Sequence, residues 1–105
     1  MGMKIESNKS EIIAEVDSKI TVALEKIGLV AERYAKDNSP VDTGRLKNSI
    51  THQVSGLEVY IGTNVDYAPY VELGARGRDP AHFLQNAIEN HMSEYVDIIK
   101  EELSR

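Results

Sequence analysis

Ser49-Ile50-Thr51-His52-Gln53-Val54-Ser55-Gly56-Leu57-Glu58-Val59-Tyr60-Ile61-Gly62-Thr63 is the stretch that takes this chain out of the all-helical class. Ile50, His52 and Val54 alternate with Thr51, Gln53 and Ser55, and Leu57, Val59 and Ile61 alternate with Glu58, Tyr60 and Gly62. A period of two sets each group on one face of a strand. Ser55-Gly56 separates the runs, so the pattern predicts a β-hairpin over 49–63 with a tight turn. A lone hairpin is marginal in water and must pack on helices or gain another strand. His52 stands between two apolar residues of its face, which reads as a partly buried, hydrogen-bonded imidazole.

Helical periodicity flanks the hairpin on both sides. Ile12, Ile13, Val16, Ile20, Ala23, Leu24, Ile27, Val30, Ala31 and Tyr34 recur every three or four residues and predict one long helix over 9–37. Asn8 with Glu11 reads as a capping box. Gly28 interrupts the pattern and marks a bend or a close crossing. Asn38-Ser39-Pro40 ends the helix, because a residue before proline is pushed out of the helical region. A connector over 38–48 leads to the hairpin. A short helix and loop over 66–80 follow it. Leu84, Ala87, Ile88, His91, Met92, Tyr95, Ile99 and Leu103 then predict a helix over 81–103, with Leu84, Ala87, Ile88 and Met92 in the core. The expected fold is α+β in a single domain, 1–105: a long N-terminal helix, a small antiparallel sheet, and a C-terminal helix packed on the sheet.

Composition narrows the function. At 105 residues the chain has room for one modest core. With 12 Lys+Arg against 17 Asp+Glu its net charge is −5, unlike the cationic surface of a general nucleic-acid binder. Residues 81–105 hold 2 basic and 5 acidic groups, so −3 of that charge lies there, in Glu89, Glu94, Asp97, Glu101 and Glu102. That is either a solvated face or a surface that repels DNA or meets a basic partner. Cysteine is absent, which removes disulfides, thiolate nucleophiles and Cys-based zinc sites. No apolar run approaches the ~20 residues of a membrane span, and the first residues lack the apolar core of a signal peptide.

Catalytic constellations are poorly represented. There is no Gly-x-Ser-x-Gly elbow, no phosphate loop and no paired-carboxylate spacing. His82 and His91, nine residues apart in sequence, fall on opposite faces of one helix and cannot share a metal. Two polar stretches remain. In Ser39-Pro40-Val41-Asp42-Thr43-Gly44-Arg45-Leu46-Lys47-Asn48-Ser49-Ile50, Asp42 or Thr43 can cap a short helix, Gly44 permits a sharp turn, and Arg45 can project. In Tyr67-Ala68-Pro69-Tyr70-Val71-Glu72-Leu73-Gly74, a short helix starts at Pro69 and stops at Gly74, with both tyrosines on one face. Those tyrosines either form a binding surface or cover the open side of the hairpin. The loop that follows carries Arg76 and Arg78, either a solubilising loop or a contact arm.

These stretches resemble the gene-ten-product-like head–tail joining proteins (neck, or minor tail component) of tailed phages and prophages. The resemblance rests on Pro40-Val41-Asp42-Thr43-Gly44-Arg45, on Tyr60-Ile61-Gly62-Thr63-Asn64-Val65, on Tyr67-Ala68-Pro69-Tyr70-Val71-Glu72-Leu73-Gly74, and on Phe83-Leu84 with Ala87, in that order. It extends over residues 10 to 103. Ala75, His82 and Asn86 depart from the family's usual Thr, Pro and Pro.

The resemblance implies a structural protein of head–tail joining or tail completion, acting as a ring subunit in particle assembly. It implies a homo-oligomer that meets other neck or tail proteins and lets DNA pass without specific nucleic-acid binding. Neither a cofactor, a metal nor a membrane is implied, and no catalytic residue. The expected location is the virion, and the bacterial host cytoplasm during assembly. Pro40, Asp42, Thr43 and Gly44 are expected as a structural staple; Tyr67, Tyr70, Glu72, Arg76 and Arg78 as contacts. Val41, Arg45, Ala68, Val71, Gly74, Phe83 and Leu84 complete the motif positions. The rival readings are a small hydrolase or toxin using Asp66, His82 and Tyr67, and a non-viral homo-oligomeric binding module.

Overall fold

A computed structural model describes residues 4–40, 44–74, 77 and 79–105, with side-chain environments from residue 14 onward. Its elements run α1 (Lys4–Asn38), α2 (Arg45–Ser49), β1 (Thr51–Ser55), β2 (Glu58–Gly62), α3 (Ala68–Leu73), α4 (Phe83–Glu89) and α5 (Met92–Leu103). The fold is α+β, as the mixed periodicities predict: a long helix, an antiparallel hairpin and C-terminal helices packed together.

α1 is 35 residues long, about 52 Å at the usual rise. It is already helical at Asn8, so Asn8 lies within it and does not cap it as expected. At the other end Ser39 closes the last turn, its backbone N–H and its hydroxyl both donating to the Lys36 carbonyl. The buried stripe is Ala23, Leu24, Ile27, Ala31 and Ala35. Its alanines keep the helix thin where other elements cross it, while Val16 upstream is exposed.

The hairpin pairs Thr51 with Gly62 through Ser55 with Glu58. Its two-residue loop is Gly56-Leu57, with Gly56 at φ 59°, the left-handed backbone such loops need at their first position. Leu57 therefore sits at the exposed tip and not on the inward face that its alternation implied. His52, Val54, Val59 and Ile61 point toward α1 and are partly buried. Gly28 marks a close crossing: the ring of His52 fills the space where its side chain would be.

Among the described residues two hydrophobic clusters lie along α1. One holds Leu24, Ile27, Ala31 and Tyr95, with Val54, Val59, Ile61, Ile98 and Ile99 against it, so the hairpin and α5 share it. The other holds Ala35, Leu46, Ile50, Val65, Ala68, Val71, Phe83 and Ala87. Tyr34 and Ile61 touch both.

The stretch read as one helix over 81–103 is two. Ala81 and His82 run beside α3, their amides donating to Val71 and Glu72 carbonyls at 2.9 and 3.2 Å. α4 then stops at Asn90, and His91 leaves helical geometry at φ −129° and ψ 22°. The break turns the His91 ring onto Tyr34, stacked at 3.6 Å between centroids. The Tyr95 hydroxyl spans it, donating to the Ala87 carbonyl at 2.5 Å. His82 and His91 consequently do not share a helix. Ile88 and Met92, expected in the core, are 44% and 52% exposed, because the break and the turn of α5 aim them outward.

Candidate interaction surface

The two polar stretches fold onto each other. Gly44, at φ 79°, leads into α2, and Arg45 places its guanidinium 5.6 Å from the centre of the Tyr67 ring. At the end of α2 the Ser49 hydroxyl donates to the Leu46 carbonyl at 2.7 Å. Ser49 Oγ also meets Thr63 Oγ1, and that oxygen accepts the Val65 amide at 3.1 Å. With the Ser49 proton committed, Thr63 donates in the pair. These bonds tie α2 to the strand end that precedes α3.

α3 divides its residues by face. Ala68 and Val71 turn into the core, whereas Tyr67, Tyr70 and Leu73 face solvent at intervals of three. Pro69 fits the first turn, and Gly74 at φ 80° ends the helix by donating to the Tyr70 carbonyl at 2.9 Å. The tyrosines therefore do not cover the underside of the hairpin. An open depression of about 530 Å³ runs beside α3, floored by Val65, Ala68 and Leu84 and edged by Asp66, Glu72 and Leu73.

Glu72, expected as a contact, spends its carboxylate inside the molecule. It accepts the Leu84 amide at 2.9 Å and the Gln85 amide at 3.1 Å, closing the start of α4. Such a negative group at a helix N-terminus is favourable for both its hydrogen bonds and the helix dipole. Pro40 is exposed just after α1, while Phe83 is fully buried and Leu84 partly so. Val41, Asp42, Thr43, Arg76 and Arg78 lie outside the described residues.

A second surface escaped the periodicity reading. Ile88, Met92 and Val96, the last 42% exposed, line an open apolar groove of about 250 Å³ whose floor is Ile27, Ala31, Val59, Ile61, Tyr95 and Ile99. Spacing by fours looks the same whether a stripe is buried within the subunit or left at its surface. The acidic residues nearby are partly committed. Glu102 is buried against Lys26 at 2.7 Å, and Glu94 accepts the Tyr34 hydroxyl at 2.6 Å. Their partners hold the Glu102 carboxyl below and the Tyr34 phenol above the ordinary range, each chiefly through that hydrogen bond. Glu89, Asp97 and Glu101 stay at the surface.

Of the hydrolase triplet, only Asp66 lines the depression beside α3; Tyr67 and His82 do not. His82 sits at φ 49°, before α4, with its Nδ1 buried and without a hydrogen-bond partner. Among the described residues no cluster of three or more His, Cys, Asp or Glu is placed to hold a metal ion. No helix among them is long and apolar enough to cross a membrane.

The family whose model matches this chain is described as "Bacteriophage HK97-gp10, putative tail-component", over residues 3–74. That span takes in α1, the hairpin and α3, and stops before α4 and α5. No curated protein and no solved structure matches the chain. The motif stretches that build the core around Leu46, Val65 and Val71 thus fall within the matched span, and the chain belongs to the HK97-gp10-like family of bacteriophage tail components.

Proposed function

We propose that the chain is a structural ring subunit of phage head–tail joining or tail completion. The observation that carries this is the apolar groove along Ile88, Met92 and Val96, which the subunit leaves uncovered. Apolar side chains grouped over a groove are what a neighbouring subunit buries. A ring needs two different patches per subunit, one for each neighbour. The exposed face of α3, with Tyr70 and Leu73, supplies a second one.

In this reading the motif residues divide their work. Ala68, Val71, Glu72 and Phe83 hold the fold, with Pro40, Asp42, Thr43 and Gly44 as the staple that leads into α2. Arg45, Tyr67, Tyr70, Arg76 and Arg78 meet other copies or other neck and tail proteins. The exposed carboxylates of α4 and α5 discourage DNA from sticking as it passes. Assembly takes place in the host cytoplasm, and no reaction is catalysed.

Deleting the gene from the phage or prophage that encodes it tests the proposal. The expected result is filled heads and separate tails that do not join, with rings of this protein at the junction of complemented particles in electron micrographs. Fully joined, infectious particles from the deletion would overturn it.

A further inference from the structure

We propose that His52 is a proton-operated latch that fastens the β1–β2 hairpin to α1. Both of its ring nitrogens meet carboxylates of that helix: Nδ1 lies 2.9 Å from Glu32 Oε1, and Nε2 lies 2.5 Å from Glu25 Oε1. A carboxylate in such a pair only accepts, and a neutral imidazole has one N–H and one lone pair. The arrangement is therefore satisfied only by the imidazolium, which donates at both ends. When the ring loses its proton, one contact sets a lone pair against a carboxylate and turns repulsive.

The helix is shaped to receive this ring. Glu25 and Glu32 lie two turns apart on one side of α1, with Gly28 between them. A Cβ on Gly28 would stand 2.9 Å from His52 Cγ and closer still to Cδ2. The His52 side chain is only 12% exposed, so water is poorly placed to replace a lost bond.

The surrounding charges leave the latch to these groups. Lys36 takes the other oxygen of Glu32 at 3.2 Å and holds it in place. On β2 the titratable Glu58 and Tyr60 bond each other on the exposed face of the strand. Among the described residues Glu25 has no ion pair except with His52, so that half of the latch opens first. The two carboxylates, Glu25 foremost, hold the imidazole above its ordinary value, in keeping with the geometry. Protonated, the hairpin is tied twice to α1; deprotonated, it is tied once and swings more freely over Leu24, Ile27 and Ala31, against which Val54, Val59 and Ile61 pack.

The test is a titration of the full-length chain by ¹⁵N NMR of the imidazole, from about pH 5 to about pH 9, with amide exchange measured at the same points. Both His52 nitrogens should be protonated at the acid end of the titration, with a midpoint above the ordinary value of about 6.5. Protection of β1 and β2 amides, referenced to α1 amides, should fall as the ring deprotonates. The expected fall is about tenfold for each unit by which the midpoint exceeds the ordinary value. Glu25→Gln, a change at an exposed position, should lower the midpoint and shrink the alkaline loss. A midpoint at or below the ordinary value would overturn the latch. So would hairpin protection that is constant through the titration, or that falls equally in α1, or a Glu25→Gln profile like that of the parent.

Discussion

The carboxylate of Glu72, at the end of α3, accepts the backbone amide of Leu84, twelve residues on, at 2.9 Å. Its second oxygen takes the Gln85 amide at 3.1 Å. One side chain thus fixes where the last third of the chain begins its helix. Replacing it with alanine removes a charge-assisted cap and should cost about 1–2 kcal/mol. For a chain of this size that lowers the melting midpoint by roughly 4–16 °C. Thermal unfolding followed by circular dichroism checks it, with Glu72→Gln losing less because its one carbonyl still accepts. A melting point unchanged in Glu72→Ala would show that α4 starts without this cap.

The tie between α3 and α4 shows why part of this molecule was legible in the sequence and part was not. Periodicity identified α1, the hairpin and a C-terminal helical stripe because each rests on local spacing. It could not see that Glu72 would turn inward, since a carboxylate in a loop-side motif looks the same whether it caps a distant helix or faces solvent. It also ran α4 and α5 together, because Ile88, Met92 and Tyr95 keep helical spacing across the break at His91. The break coincides there with a tertiary contact, the stack of His91 on Tyr34, which local spacing does not report. Gly28 was legible as a close crossing, and His52 as a bonded imidazole. That they are one feature, with Glu25 and Glu32 as its walls, required the hairpin to be placed on α1.

Gly28→Ala should reverse the usual sign of that substitution. In an open helix, alanine is favoured over glycine by about 1 kcal/mol. Here the added methyl runs into the ring of His52, and overpacking of this kind costs about 1–3 kcal/mol. We expect Gly28→Ala to be destabilised in urea unfolding, and His52→Ala to make the same substitution favourable. The double-mutant cycle isolates the contact. Additive effects of the two changes would mean that the ring moves aside freely.

The stability of the fold should carry the signature of the same cluster. The His52 imidazole sits above its ordinary value, chiefly through the Glu25 hydrogen bond, so its contribution is complete below about 6.5 and fades as pH rises through the native value. Glu32 sits below its ordinary value, chiefly through the His52 hydrogen bond, so its contribution is complete above about 4.5 and fades as pH falls through the native value. The cluster therefore stabilises most between about 4.5 and about 6.5. His52→Gln should lose most relative to the parent inside that window and approach it on the alkaline side. Chemical denaturation at several pH values measures the difference; a gap that widens above neutrality contradicts the sign.

Met92 and Val96 allow assembly to be separated from folding. Both side chains are already exposed, at 52% and 42%, so a charge placed on either meets water in the isolated subunit. Surface substitutions of that kind usually shift stability by no more than about 0.5 kcal/mol. Buried in a subunit contact, the same charge loses its solvation and has no partner, at a cost of several kcal/mol. Met92→Glu and Val96→Glu should therefore melt like the parent, yet fail to form rings in native mass spectrometry and fail to complement a deletion. Leu57→Glu is the matched control. Its side chain is more exposed still, at 74%, but sits at the hairpin tip, away from the groove. If the two groove variants assemble and complement as well as Leu57→Glu does, the contact between subunits lies elsewhere, and the α3 face with Tyr70 and Leu73 becomes the surface to charge next.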